Sequence, residues 1–157
     1  MQIDLLTICP RFFDEFVQNG LVRVARKQGQ VEIRTVDLRA FSEDRHRTVD
    51  DRPYGGGPGM LLKPEPVFRA LDVLGVQPGE KAPEGTKLLL MCPRGRQLGQ
   101  GDLEDFAGVE RLVILCGRYE GYDERIVEAY PWQRVSLGDY VLSGGEVPAM
   151  AILEGTI

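Results

Sequence analysis

The sequence predicts an α/β fold, with a largely parallel sheet flanked by helices, and two observations carry that expectation. Short apolar, β-rich runs alternate with stretches of helical periodicity along the chain. In the second half, KLLLMC, RLVILC and QRVSL are each followed by a glycine-bearing loop and then a helical pattern. Strand, loop and helix repeated in that order build parallel strands joined by crossovers.

Taken in order, IDLLTI near the start is a continuous apolar run suited to a buried strand. Pro10 opens a helical pattern with Phe12, Phe13, Phe16 and Val17 on one side, ending at Asn19-Gly20. A second helix, about 21–28, is expected to stop at Gly29, where a left-handed cap is cheap for glycine. VEIRTVDL alternates and is β-branched, hence a strand. From Ser42 to Gly59 the chain turns polar and then glycine-rich, long enough to suggest a functional loop. A helix over about 64–74 follows, with Val67, Leu71 and Leu74 at helical spacing. GVQPGEKAPEGT is surface loop by composition. Short helices are expected near Asp102–Phe106 and in DERIVEAY, and a last one from Pro148. That last helix begins an apolar face at Ala149, Met150, Ile152 and Leu153 with no convincing stop after it. A face left uncovered predicts that sequence is missing beyond Ile157.

The chain has 157 residues and is 43% hydrophobic, enough for one domain with a real core. No apolar run approaches the ~20 residues that span a bilayer, so no membrane association is expected. MQIDLLTICPRFFDEF carries neither a basic leader nor a small-residue cleavage site, and no signal peptide is read there. Cys9, Cys92 and Cys116 lack metal-ligand spacing and suggest reduced, buried thiols in a cytoplasm. The single histidine, His46, argues against most metal sites and against a histidine-assisted nucleophile. The net charge of −5 does not favour nucleic-acid binding. Two local basic groups stand against it, Arg23, Arg26 and Lys27, and then Arg45, His46, Arg47 and Arg52. Solvated surface is the plainer reading of both.

In a parallel sheet all strand C-termini share one edge, and ligands bind in the crevice outside it. Three loops are expected to converge there: Cys92-Pro93-Arg94-Gly95, Cys116 to Gly121, and Leu137 to Gly145. Glycines such as Gly117, Gly121, Gly138, Gly144 and Gly145 let backbone groups approach and read the edge of an adenine. Leu90, Leu137 and Leu142 can supply apolar walls, Tyr119 and Tyr140 flat faces. No GxxxxGK[ST] occurs, and no GxGxxG follows the first strand. A ligand with adenosine but no phosphate fits better. S-adenosylmethionine is one such ligand, though composition does not single it out.

DLLTICPRFFDEF, DDRPYGGGPGM, LCGRYEGYDERI and VSLGDYVLSGGEVPAM resemble the bacterial tRNA (guanine-N1)-methyltransferase family over essentially the whole chain. The resemblance implies a SPOUT-type fold with a C-terminal trefoil knot, which the strand pattern could not have shown. It implies that residues 1–157 are the S-adenosylmethionine-binding domain, and that the enzymes methylate N1 of the guanine following the anticodon. The implied cofactor site is Gly117 with Leu137, Gly138, Asp139, Tyr140, Val141 and Leu142, walled by Leu90, Pro93, Tyr119, Glu120 and Gly121. Tyr54, Gly55, Gly56, Gly57 and Gly59 match the segment beside the target guanine, and Arg118 is a further candidate for substrate recognition. The partners implied are tRNA and a second copy of the chain in a homodimer.

Guanine N1 must lose a proton to become a nucleophile, so the chemistry needs a carboxylate base and a guanidinium near O6. By register both fall beyond Ile157, as does the family's tRNA-gripping helical domain, so no catalytic residue is expected within these residues. Glu120 is a candidate to help with substrate or a magnesium ion. It is equally readable as a loop carboxylate accepting backbone N–H bonds. The alternative function is a non-catalytic S-adenosylmethionine-binding module.

Overall fold

The computed structural model describes residues 1–79 and 81–157. Five parallel strands form the central sheet in the order β2-β1-β6-β5-β7. They are β1 (Gln2–Thr7), β2 (Glu32–Asp37), β5 (Thr86–Gln97), β6 (Arg111–Leu115) and β7 (Gln133–Ser136). A two-residue pair, β3 (Asp50–Asp51) and β4 (Leu61–Leu62), runs antiparallel across the base of the glycine-rich loop. The helices are α1 (Gly20–Lys27), α2 (Pro64–Val73), α3 (Gln100–Ala107), α4 (Glu124–Ala129) and α5 (Glu146–Thr156).

The apolar runs become central strands because both faces of the sheet are covered. Ile3, Leu5, Leu112, Ile114, Leu89 and Met91 pack on one side, beneath α1, α3 and α5. Leu6, Val113, Leu115, Leu88 and Leu90 pack on the other, beneath α2 and α4. Edge strand β2 is only partly covered: Ile33, Val36 and Asp37 are half-buried, and Glu32, Arg34 and Thr35 are exposed.

Four expectations change. Residues after Pro10 form two 3-10 turns (Pro10–Phe13 and Phe16–Gln18), not one helix, and bury only Phe13. β5 does not end at Cys92. Cys92–Gly95 bulge outward, and Arg96 and Gln97 return to pair with Val135 and Ser136. α5 starts at Glu146, two residues before Pro148, which sits in the first turn where its missing N–H costs nothing. Finally, the apolar face of α5 is not uncovered. Ala149, Ile152 and Leu153 are fully buried against the sheet, with Phe13, Ala25 and Phe106 in the same cluster. Cys116 is buried as expected, whereas Cys9 and Cys92 are half-buried. Among the described residues no helix is long and apolar enough to cross a membrane.

Candidate cofactor site

β6, β5 and β7 are neighbours, so the three loops leaving them do converge. They enclose a cavity of about 310 Å³ at the C-terminal edge of the sheet. Met91, Cys92 and Pro93 form one wall, from the point where β5 bulges. Gly117 to Tyr122 form a second. Ser136, Leu137 and Tyr140 to Gly145 form the third, closed at its base by Pro148 of α5.

Most of the expected cofactor residues thus lie on the walls: Pro93, Gly117, Tyr119, Glu120, Gly121, Leu137, Tyr140, Val141, Leu142, Gly144 and Gly145. Leu90, Gly138 and Asp139 do not. Leu90 is 1% exposed in the core on the α2 side of the sheet, because alternation turns it away, and Met91 takes the wall position. Gly138 is buried under the Tyr140 ring, and Asp139 points to solvent.

Two contacts lock the walls together. The Gly145 N–H donates to the Gly117 carbonyl at 2.8 Å. A Cβ on Gly145 would sit 2.8 Å from Cys116 Cα and 3.0 Å from Gly117 N, so only glycine lets these backbones touch. The buried Tyr122 hydroxyl donates to the Met91 carbonyl at 2.7 Å, tying the end of β5 to the loop after β6. Burial pushes this phenol well above its ordinary pKa, so it stays a donor. Gly117 was expected to be glycine so that a ligand could approach it. The structure adds another cause, since a Cβ there would run into the Tyr122 ring.

The segment 54–59 does not line the cavity; Tyr54 is 94% exposed. It is tethered beside the cavity at its end. Glu120 accepts the Met60 N–H at 2.6 Å and donates its own N–H to the Met60 carbonyl at 3.1 Å. Of the two readings of Glu120, the carboxylate accepting a backbone N–H is the one seen. Among the described residues no group of three or more His, Cys, Asp or Glu could hold a metal ion. Tyr119, at φ 63°, is in a left-handed conformation that non-glycine residues adopt at a cost of about 1 kcal/mol. Partial burial pushes its phenol pKa up, and the Asp50 carboxylate of β3 adds to this.

Sequence reasoning missed Glu146 and Thr7. Glu146 is 0% exposed and accepts the Thr7 hydroxyl at 2.7 Å and Arg118 Nε at 3.3 Å. Arg118, a candidate for substrate recognition by resemblance, is paired with Glu146. Partial burial works to lower the Arg118 pKa, but the bond to Glu146 and that residue's charge outweigh it and raise it. A carboxylate in the first turn of a helix, just after paired glycines, was the available signal.

The family model for tRNA (Guanine-1)-methyltransferase TrmD matches residues 1–157. The chain belongs to this family. A Persephonella marina protein named tRNA (guanine-N(1)-)-methyltransferase is 48% identical over 157 residues, covering 100% of this chain and 59% of its own length. Proteins of the same name from Moorella thermoacetica and Geobacillus kaustophilus are 44% and 42% identical, covering 98% and 100% of this chain. The chain spans 60% and 62% of those two relatives, so it matches about three fifths of each protein.

Proposed function

We propose that this chain is the cofactor-binding domain of an S-adenosylmethionine-dependent methyltransferase acting on N1 of the guanine that follows the anticodon in tRNA. The observation that carries this reading is the cavity, formed by the loops of three neighbouring parallel strands in a chain of this family. Its volume is at the lower end for small-molecule sites. Its lining suits an adenosine with a thioether-like tail: apolar Pro93, Leu137 and Leu142, backbone groups of Gly117 and Gly144, and no phosphate-binding lysine.

When bound, the cofactor supplies a methyl group on a sulfonium, which is a strong electrophile. The chain's own residues do the rest of the holding. The loop after β7 offers backbone N–H and C=O groups, Tyr122 fixes the distance between two walls, and Arg118 presents a guanidinium at the rim. The glycine-rich segment 54–59, anchored on Glu120, lies where a target base would approach. A magnesium ion near Glu120 belongs to the same proposal, as do the base and the tRNA-gripping domain that the resemblance assigns outside residues 1–157. The reading also includes a trefoil knot, which is carried by the family to which the chain belongs. It includes a homodimer, for which Val141, Leu142 and Val147 offer exposed apolar surface beside the cavity. It places the protein in the cytoplasm.

Calorimetric titration should give saturable binding of S-adenosylmethionine and S-adenosylhomocysteine to the folded protein. The full-length protein should methylate tRNA transcripts and fail on transcripts with adenine in place of that guanine. A folded protein binding neither compound overturns the reading. Binding without methylation by the full-length protein points to the non-catalytic module instead.

A further inference from the structure

Behind the cavity wall lies a charge that makes no contact with the cavity itself. Glu146 is fully buried and absent from the lining. Its Oε1 takes the Thr7 hydroxyl, whose direction is set because Thr7 Oγ1 accepts the Cys9 N–H at 2.9 Å. Its Oε2 lies 3.1 Å from Arg118 Nη2 but has no hydrogen bond. Arg118 does line the cavity. Its guanidinium lies between Glu146 and the Phe12 ring, 4.9 Å from the ring centroid, and a side chain at Gly144 would collide with both members of the pair.

A buried carboxylate is a poor device for stability alone, since desolvation offsets most of the Coulomb gain and an apolar pair packs as well. Its effect on the cavity is different in kind. Arg118 and Glu120 are the formally charged residues of the lining, and Glu120 is bound to the Met60 N–H. Without Glu146 the cavity would carry an uncompensated guanidinium in its wall. A cavity this small keeps any ligand well within a screening length of that wall.

We propose that Glu146 is a positioning residue that fixes and neutralises Arg118, and so sets the cavity's preference for a cationic sulfonium ligand over its neutral thioether counterpart. The inference rests on the cofactor reading given above. It means that the site can discriminate methyl donor from spent product by charge.

The probes are S-adenosylmethionine and S-adenosylhomocysteine, titrated into the full-length protein. Glu146→Gln keeps the shape and removes the charge. It should weaken the sulfonium compound about fivefold more than the thioether, the scale of one unit charge in a partly solvated site. Glu146→Asp, which keeps the charge, should hold the wild-type ratio even if both affinities fall. Equal loss of both ligands in Glu146→Gln overturns the inference, because a purely structural role moves them together. If Glu146→Gln does not melt cooperatively, Arg118→Gln at pH 8.5 replaces it. There the ratio should shift toward the sulfonium compound, and an unchanged ratio is the overturning result. Wild-type protein that binds neither compound defeats the cofactor reading itself, a distinguishable failure.

Discussion

β1 carries a buried polar group at each end, and the two ends of the sheet use them differently. At the N-terminal edge, Asp4 is fully buried and saturated. Arg34 Nε donates at 2.8 Å, Arg111 Nε at 2.7 Å and Gln2 Nε2 at 3.0 Å. Arg111 continues to the Leu74 carbonyl at 2.9 Å, so the cluster stitches three adjacent strands to the end of α2. At the C-terminal edge, about 10 Å along the strand, Thr7 meets a carboxylate with one guanidinium and one oxygen lacking a hydrogen bond. The first arrangement is closed on itself, each Asp4 oxygen being taken by donors of the neighbouring residues. The second borders a cavity. Burial of a charged group does not itself mark a site; what marks it is incomplete pairing beside open space.

The sharpest way to break this contrast is to insert a side chain at the C-terminal edge. Gly145→Val should force apart the backbones of Cys116 and Gly117. The expected result is loss of measurable cofactor binding and about 3 kcal/mol of stability. Unchanged affinity in calorimetry would remove the loop after β7 from the site.

Asp4→Ala should cost about as much stability, roughly 3 kcal/mol, because it strands the Arg111 guanidinium. Cofactor affinity of the folded variant should match wild type. Denaturant melts and titrations on the same sample test this, and a fall in affinity would mean that the two edges are coupled. Tyr122→Phe is milder. Losing the bond to the Met91 carbonyl should cost about 1 kcal/mol and loosen one cavity wall, lowering affinity about threefold. An affinity equal to wild type would mean that this bond does not set the wall spacing.

The smallest effect concerns a third carboxylate, exposed in the loop before β3. Asp44 is held down to a pKa of about 2 by the Ser42 hydroxyl first, then by Thr48 and the His46 backbone. Because the folded value is depressed below the ordinary 3.8, its contribution is present above that value. It is lost as pH falls through about 2. The His46 and Thr48 amide signals should titrate together in that range. Movement near pH 4 instead would show that the loop's hydrogen bonds do not persist in solution.

How much was legible in the sequence varied by region. The central strands could be read because apolar runs buried on both faces leave a pattern that does not depend on register. Strand polarity put the three loops on one edge, and the adjacency of β6, β5 and β7 brought them together. The residues after Pro10 have helical spacing, yet only Phe13 is buried, Phe16 and Val17 pack half-buried at the margin of the core, and Phe12 is exposed. The wall position of Met91 instead of Leu90 depends on which way a residue faces, and in a run apolar at every position nothing in the sequence says so.

By itself, then, the sequence determined the α/β class, the sheet edge at which the glycine-bearing loops gather and the family. These rest on local periodicity and on long motifs. Only the tertiary structure decided that Glu146 lies 139 positions from Thr7 in sequence yet bonded to it, and that Gly145 must be glycine to cross Gly117. Pairings of that kind arise when distant segments are packed against one another, and no local pattern encodes them.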